Sequence, residues 1–268
     1  MQTRRDIIRG GLGLAGIIAS GKAPAAVVKS MLSTRKEIVA GGGDEMLSAK
    51  SYVQDGLVAM WDGIENAGWG VHDPNATVWK DLVGDRDITL HGANINADCV
   101  FIPKSGWGNA NFPQSYGCIE VVLVKSVATT NRANNSVITI GPTYGGYGLC
   151  VNKSNKLMDT YDSARGPVIN INGEELFSAS FNKNGPTTTS VYKNGSARND
   201  GYVAAGDRYN GKGASDVINQ DPISNPGSEK SERNSDLWYR SIRIYSRALT
   251  ADEIAANYAI DKARFNLP

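Results

Sequence analysis

The sequence is poor in the residues that carry most enzyme chemistry. Only 2 histidines and 3 cysteines occur in 268 residues. Cys99, Cys118 and Cys150 are far apart and form no CxxC pair, which argues against a structural zinc site. Their odd number leaves at least one thiol free or paired between chains, and their settings suit small buried hydrophobes in strands. His72 and His91 have no G-x-S-x-G to work with, so a Ser-His-Asp hydrolase has no starting point. Charge of one sign is lacking too: 28 basic against 27 acidic residues leave a formal net charge of +1. Such a chain has no long-range field to steer nucleic acid or an anionic membrane toward it. No basic block interleaved with aromatics appears, which argues against a nucleic-acid partner. No apolar run approaches the ~20 residues that a membrane-spanning helix needs.

Turn formers, by contrast, are abundant. The 30 glycines, with frequent Asn, Asp and Ser, punctuate a series of short apolar runs, the pattern of an all-β chain. Strands are expected over Leu57–Trp61, Val78–Leu82, Ile88–Leu90, Ile119–Val124, Val137–Ile140, Gly148–Val151, Val168–Ile171, Leu176–Phe181, Thr187–Tyr192 and Tyr239–Tyr245. Ile119–Val124 is the most apolar and reads as a central strand buried on both faces. In the last run, Tyr239, Ser241, Arg243 and Tyr245 alternate with Arg240, Ile242 and Ile244. Asn172-Gly173, Asn184-Gly185-Pro186 and Asn194-Gly195 supply the positive φ that tight hairpins require. Thr250-Ala251-Asp252-Glu253 is a capping box opening one C-terminal helix, with Ile254, Tyr258 and Phe265 on its apolar stripe.

The first 43 residues differ in character. Thr3-Arg4-Arg5-Asp6-Ile7-Ile8-Arg9, a short apolar stretch and Ala23-Pro24-Ala25 resemble a twin-arginine export signal with a cleavage site. From Pro24 onward, however, Val27, Val28, Met31, Leu32, Ile38 and Val39 keep a helical period, and Gly41-Gly42-Gly43 ends it. That pattern suits a retained anchoring or assembly helix, and the two readings stand side by side. The expected organisation is residues 1–43 as signal or anchor, 44–54 as connector and 55–268 as one β domain.

Two phrases in the β domain carry a family likeness. Leu57-Val58-Ala59-Met60-Trp61-Asp62-Gly63, followed by Trp79-Lys80-Asp81-Leu82-Val83-Gly84 and Leu90-His91-Gly92, resembles the opening of a laminin-G-like domain. Such domains belong to the concanavalin A-like lectin/glucanase superfamily. Ile242-Arg243-Ile244-Tyr245-Ser246-Arg247-Ala248-Leu249 running into the capped helix resembles its close. The Ser20–Ala25 phrase with the Asp55–Asp62 opening also looks like proteins of gut bacteria and their tailed phages. The resemblance implies a jelly-roll sandwich of two antiparallel sheets, a fold that hosts lectins, adhesion modules, glycanases and viral appendages alike.

Glycanases of that superfamily mostly carry Glu-x-Asp-x-x-Glu on one strand, and no such motif occurs here. Glu120 stands alone in the best strand and is expected at an edge or facing outward. Glu174 and Glu175 sit beside a turn and face opposite ways. Sugar binding instead needs flat aromatic faces and planar hydrogen-bonding groups. Trp69 and Trp107, each flanked by glycine, Tyr144 and Tyr147 in a Gly-rich stretch, and Tyr209-Asn210 are the candidate ligand-binding residues, expected in loops. Trp61, Trp79 and Trp238 sit in strand phrases and are expected in the core. Asp62, Asp73, Asn75 and Asp81 are candidate Ca²⁺ ligands, against the ordinary use of Asp-rich turns to cap their own backbone. The leading expectation is a non-enzymatic module that binds surface glycans outside the cell, with homo-oligomerisation left open. The alternatives are a virion appendage docked on other virion or cell-surface proteins through residues 1–43, and a glycanase or lyase with unfamiliar residues.

Overall fold

The computed structural model describes residues 47–113, 117–127, 134–140, 147–152, 156–159, 166–171, 176–183, 189–200, 202–203, 217–218 and 236–268. In chain order the first strands are β1 (Leu57–Asp62), β2 (Val78–Trp79), β3 (Ile88–His91), β4 (Asn94–Ile95), β5 (Val100–Ile102) and β6 (Trp107–Asn109). Next come β7 (Cys118–Val127), β8 (Asn134–Ile140), β9 (Tyr147–Asn152), β10 (Lys156–Asp159), β11 (Gly166–Asn170) and β12 (Phe177–Lys183). The last are β13 (Thr189–Lys193), β14 (Ser196–Arg198), β15 (Tyr202–Val203), β16 (Val217–Ile218) and β17 (Asp236–Tyr245), before helix α1 (Ala251–Phe265). The expected N-terminal segment and the turns at Asn172-Gly173 and Asn184–Pro186 lie outside the described residues.

The strands form two antiparallel sheets. The first runs β14-β13-β12-β7-β17-β5-β4, with β1 pairing on β17; the second runs β15-β11-β10-β9-β8-β16-β6-β3-β2. Strand alternation turns one face of each sheet into a shared apolar core. From the first sheet come Ile119, Val121, Leu123, Phe177, Ala179, Phe181, Ile242 and Ile244; from the second come Trp79, Ile88, Val137, Ile138, Leu149 and Ile169. The Tyr239 hydroxyl crosses the core to donate to the Val137 carbonyl at 2.7 Å.

Local chemistry explains where the elements stop and turn. Asn194 and Gly195 hold φ of 52° and 70°, the left-handed pair that joins β13 tightly to β14. The Thr250 hydroxyl accepts from Glu253 N while the Glu253 carboxylate accepts from Thr250 N, the reciprocal cap that starts α1. The β2 run ends at Trp79 because the Asp81 carboxylate gathers the amides of Met60, Val83 and Arg86 at 3.0–3.2 Å. All three cysteines are buried, Cys99 and Cys118 as free thiols.

Three expectations need correction. In β17 the register shifts on both sides of Tyr239. The bulge puts Leu237 and Tyr239 in the core with Ile242 and Ile244, leaving Ser241, Arg243 and Tyr245 on the opposite face. Trp238 is therefore not a core residue; it is half-buried and stacks on Phe101 with ring centroids 4.3 Å apart and planes 17° from parallel. The described part of the expected connector is packed: Ala49 is fully buried, and buried Tyr52 donates its hydroxyl to Asp261 at 2.8 Å.

Candidate functional site

Glu120, expected at an edge or facing outward, is 1% exposed at the centre of the first sheet, under helix α1. Its carboxylate accepts from Arg243 Nε at 2.9 Å, Ser180 Oγ at 2.8 Å and Asn257 Nδ2 at 2.8 Å. Arg243 turns its other two nitrogens to Asp261 at 2.7 and 2.8 Å, a bidentate fork that joins the sheet to the helix. Burial raises the Glu120 carboxyl above the usual range, against the pull of Arg243. The cluster is roofed by the helix and by Tyr52, whose ring lies 4.0 Å under the Arg243 guanidinium. It is a polar clamp, closed to substrate.

A second set of buried charges builds the loop between β1 and β2. Asp62, at the end of β1, takes the amides of Ile64 and Glu65 at 2.9 and 3.0 Å and a fork from Arg264 of the helix. Glu65 then divides its oxygens. Oε1 accepts from Ala49 N at 2.7 Å and Arg264 at 3.0 Å; Oε2 accepts from Gly70 N at 2.9 Å. The Asn66 carboxamide clasps the backbone N–H and carbonyl of Asp73 at 3.0 and 2.8 Å, closing the loop at its base. Gly68 and Gly70 adopt φ of 134° and 69°, and a Cβ on either would meet nothing within 4 Å. These glycines are needed for the turn, not for space. Between them Trp69 is 37% exposed, next to Val71 at 50%. The Lys50 ammonium lies 5.1 Å from the centre of the Trp69 ring.

Trp107 has a different setting from the one expected. It lies in β6, on the outer face of the second sheet, paired with His91 of β3. The two rings stack at 3.9 Å and 15°, and His91 Nε2 lies 3.3 Å from Asn109 Oδ1. The neighbouring glycine belongs to the strand because a Cβ on Gly108 would meet Ile88 Cγ2 at 2.6 Å and Ile218 Cγ1 at 2.9 Å. His91 and Asn109 were missed from the sequence. The signal was there: buried and exposed residues alternate through Ile88-Thr89-Leu90-His91, putting His91 on the outer face.

No family model matches the chain, and no curated protein matches it. Among solved structures the fold is similar to Trypanosoma rangeli sialidase, at 14% identity and a TM-score of 0.54, over 88% of this chain and 39% of that one. It is also similar to the receptor binding domain of botulinum neurotoxin C/D mosaic serotype, at 16% identity and a TM-score of 0.54, over 77% of this chain and 52% of that one. The botulinum neurotoxin serotype C1 binding domain gives 13% and 0.53, over 78% and 52%. The chain thus spans less than two thirds of each of these chains, and at such identities the likeness concerns the fold.

The expected calcium ligands do not converge. Asp62 is committed to Arg264 and two amides, Asp81 to three amides, and Asp73 Oδ1 to the Asn75 amide at 2.8 Å. Among the described residues no three His, Cys, Asp or Glu side chains come together as a metal ion requires. Among the same residues no helix is long and apolar enough to cross a membrane. Tyr144, Tyr209, Asn210, Glu174 and Glu175 lie outside the described residues, and Tyr147 opens β9. Trp69 and Trp107 keep separate company, the first with Lys50 and the second with His91.

Proposed function

We propose that the β domain is a laminin-G-like jelly roll of the concanavalin A-like superfamily that holds a surface glycan without cutting it. The observation that carries this reading is Trp69, displayed on a two-glycine turn whose base is fixed by buried Glu65 and Asn66. A rigid exposed indole offers a sugar's C–H face a preorganised platform, so little ordering entropy is lost on binding. The His91–Trp107 stack with the Asn109 amide offers a second aromatic surface with hydrogen-bonding groups beside it. Similarity in fold to a sialidase and to toxin binding domains is in keeping with this role. So is the engagement of Glu120 in a closed clamp, where it cannot reach a glycosidic oxygen. The twin-arginine-like start fits action outside the cell.

The test is a glycan array followed by calorimetry on the full chain, with far-UV circular dichroism to check the fold. Trp69→Ala and Trp107→Ala are each expected to weaken binding at least tenfold, about 1.4 kcal/mol, with the spectrum unchanged. Binding unchanged in both variants would remove these platforms from the account. Release of reducing ends from a bound polysaccharide would replace the binding role with a hydrolytic one.

A further inference from the structure

We propose that Lys50 and Trp69 form a preassembled pair for an anionic sugar residue, the indole taking the sugar's C–H face and the ammonium its carboxylate or sulfate. The inference rests on the glycan-binding reading and specifies its ligand class. Lys50 and Trp69 come from segments nineteen positions apart, yet one buried side chain sets both. Glu65 accepts from Ala49 N with one oxygen and from Gly70 N with the other, at 2.7 and 2.9 Å, and each of these amides is next in sequence to Lys50 or Trp69. The 3-10 turn Ala49–Ser51 that carries Lys50 is capped by the Ser48 hydroxyl, which accepts from Lys50 N at 3.2 Å.

The charges beneath the pair are already spent. Glu65 is 7% exposed at its side chain and is matched by Arg264 at 3.0 Å, and Asp62 is held by the same guanidinium at 2.8 Å. The exposed Lys50 ammonium, by contrast, faces a ring. Contact between an exposed ammonium and an aromatic face is weak. A charge-assisted hydrogen bond to an anion is stronger. An arriving acidic sugar therefore draws the ammonium toward itself and meets the indole beside it. A neutral sugar gains the stacking alone.

The experiment compares matched ligands on the full chain by calorimetry at low and at raised salt: sialyllactose with lactose, oligogalacturonate with its methyl ester, and a sulfated galactan oligosaccharide with its desulfated form. The wild type is expected to prefer the anionic member of at least one pair by about tenfold, with the preference shrinking as salt screens it. Lys50→Met should erase the preference, bringing the anionic member of the pair down to the affinity of its neutral partner. Lys50→Arg should keep it, and Trp69→Ala should lose both members. Equal binding of the members of every pair, or a preference that survives Lys50→Met, overturns the proposal while leaving glycan binding intact. Absence of wild-type binding to these ligands and to a broad array overturns the glycan reading with it.

Discussion

The two faces of the first sheet are buried to the same degree by opposite chemistry. The face turned to the second sheet is apolar: Ile119, Val121 and Leu123 of β7 meet Phe177, Ala179 and Phe181 of β12. The face turned to α1 holds Glu120, Ser178, Ser180, Asn182, Ser241 and Arg243, all buried, under the Asn257 and Asp261 side chains of the helix. On the first face stability comes from area removed from water and tolerates imprecise geometry. On the second every donor must find its acceptor, because an unpaired buried charge costs far more than a missing methylene. Polar residues on a strand therefore do not mark solvent; they can mark a roof.

The largest expected effect tests that contrast directly. Arg243→Met leaves Glu120 and Asp261 buried without their cation and should cost about 3–5 kcal/mol in chemical denaturation. Leu123→Ala, on the other face of the same sheet, should cost about 2–5 kcal/mol. The pH dependence separates them. In Arg243→Met the Glu120 carboxyl, raised by burial, loses the guanidinium that pulls it down, so its folded pKa stands further above the unfolded one. Its contribution is therefore most favourable at low pH and is lost as pH rises through the raised value. The Arg243→Met deficit should shrink as pH falls from neutral into the acid range while the Leu123→Ala deficit stays level. Equal slopes would mean that the polar face is held by packing alone.

A smaller effect probes the apolar core from the second sheet. Gly108→Ala places a methyl 2.6 Å from Ile88 Cγ2 and 2.9 Å from Ile218 Cγ1. It should destabilise by about 1–3 kcal/mol, read as a lowered denaturation midpoint. A neutral result would mean that the sheet shifts freely there and that Trp107 is not fixed by its strand.

What was legible in the sequence follows the range of each interaction. The Asn194-Gly195 hairpin, the Thr250 capping box and the central apolar strand β7 are decided within a few residues, and all three stand as expected. The place of Glu120 was not legible, because its partners Arg243 and Asn257 lie 123 and 137 residues further along the chain. Nor could the bulge around Tyr239 be read, since strict alternation carried no mark of it. Trp107 was read as a loop residue from its flanking glycines, whereas Gly108 answers a steric demand of Ile88 and Ile218 from other strands. The Trp69 loop fared better, its glycines serving a local backbone need, but the Glu65 tie to Lys50 is tertiary.

The smallest expected effect concerns what keeps the roof on the polar face. Glu253 caps α1 and takes Arg247 in a fork at 2.7 and 2.9 Å, and that hydrogen-bonded pairing holds its carboxyl below the usual range. A group whose folded pKa is depressed adds stability above its unfolded value of about 4.3, and loses it as pH falls through the lower folded value. Both partners are a quarter or more exposed, so solvent screening keeps the contribution modest. Glu253→Gln should therefore cost only about 0.3–1 kcal/mol at neutral pH. The gap to wild type should stay flat down to about pH 5 and close below about pH 4. Raised salt should narrow the same gap while barely touching the Arg243→Met deficit, because the exposed pair is screened and the buried one is not. A gap that ignores both acid and salt would assign the helix start to the Thr250 hydroxyl and to packing, and the charge on Glu253 would play no part in holding the roof.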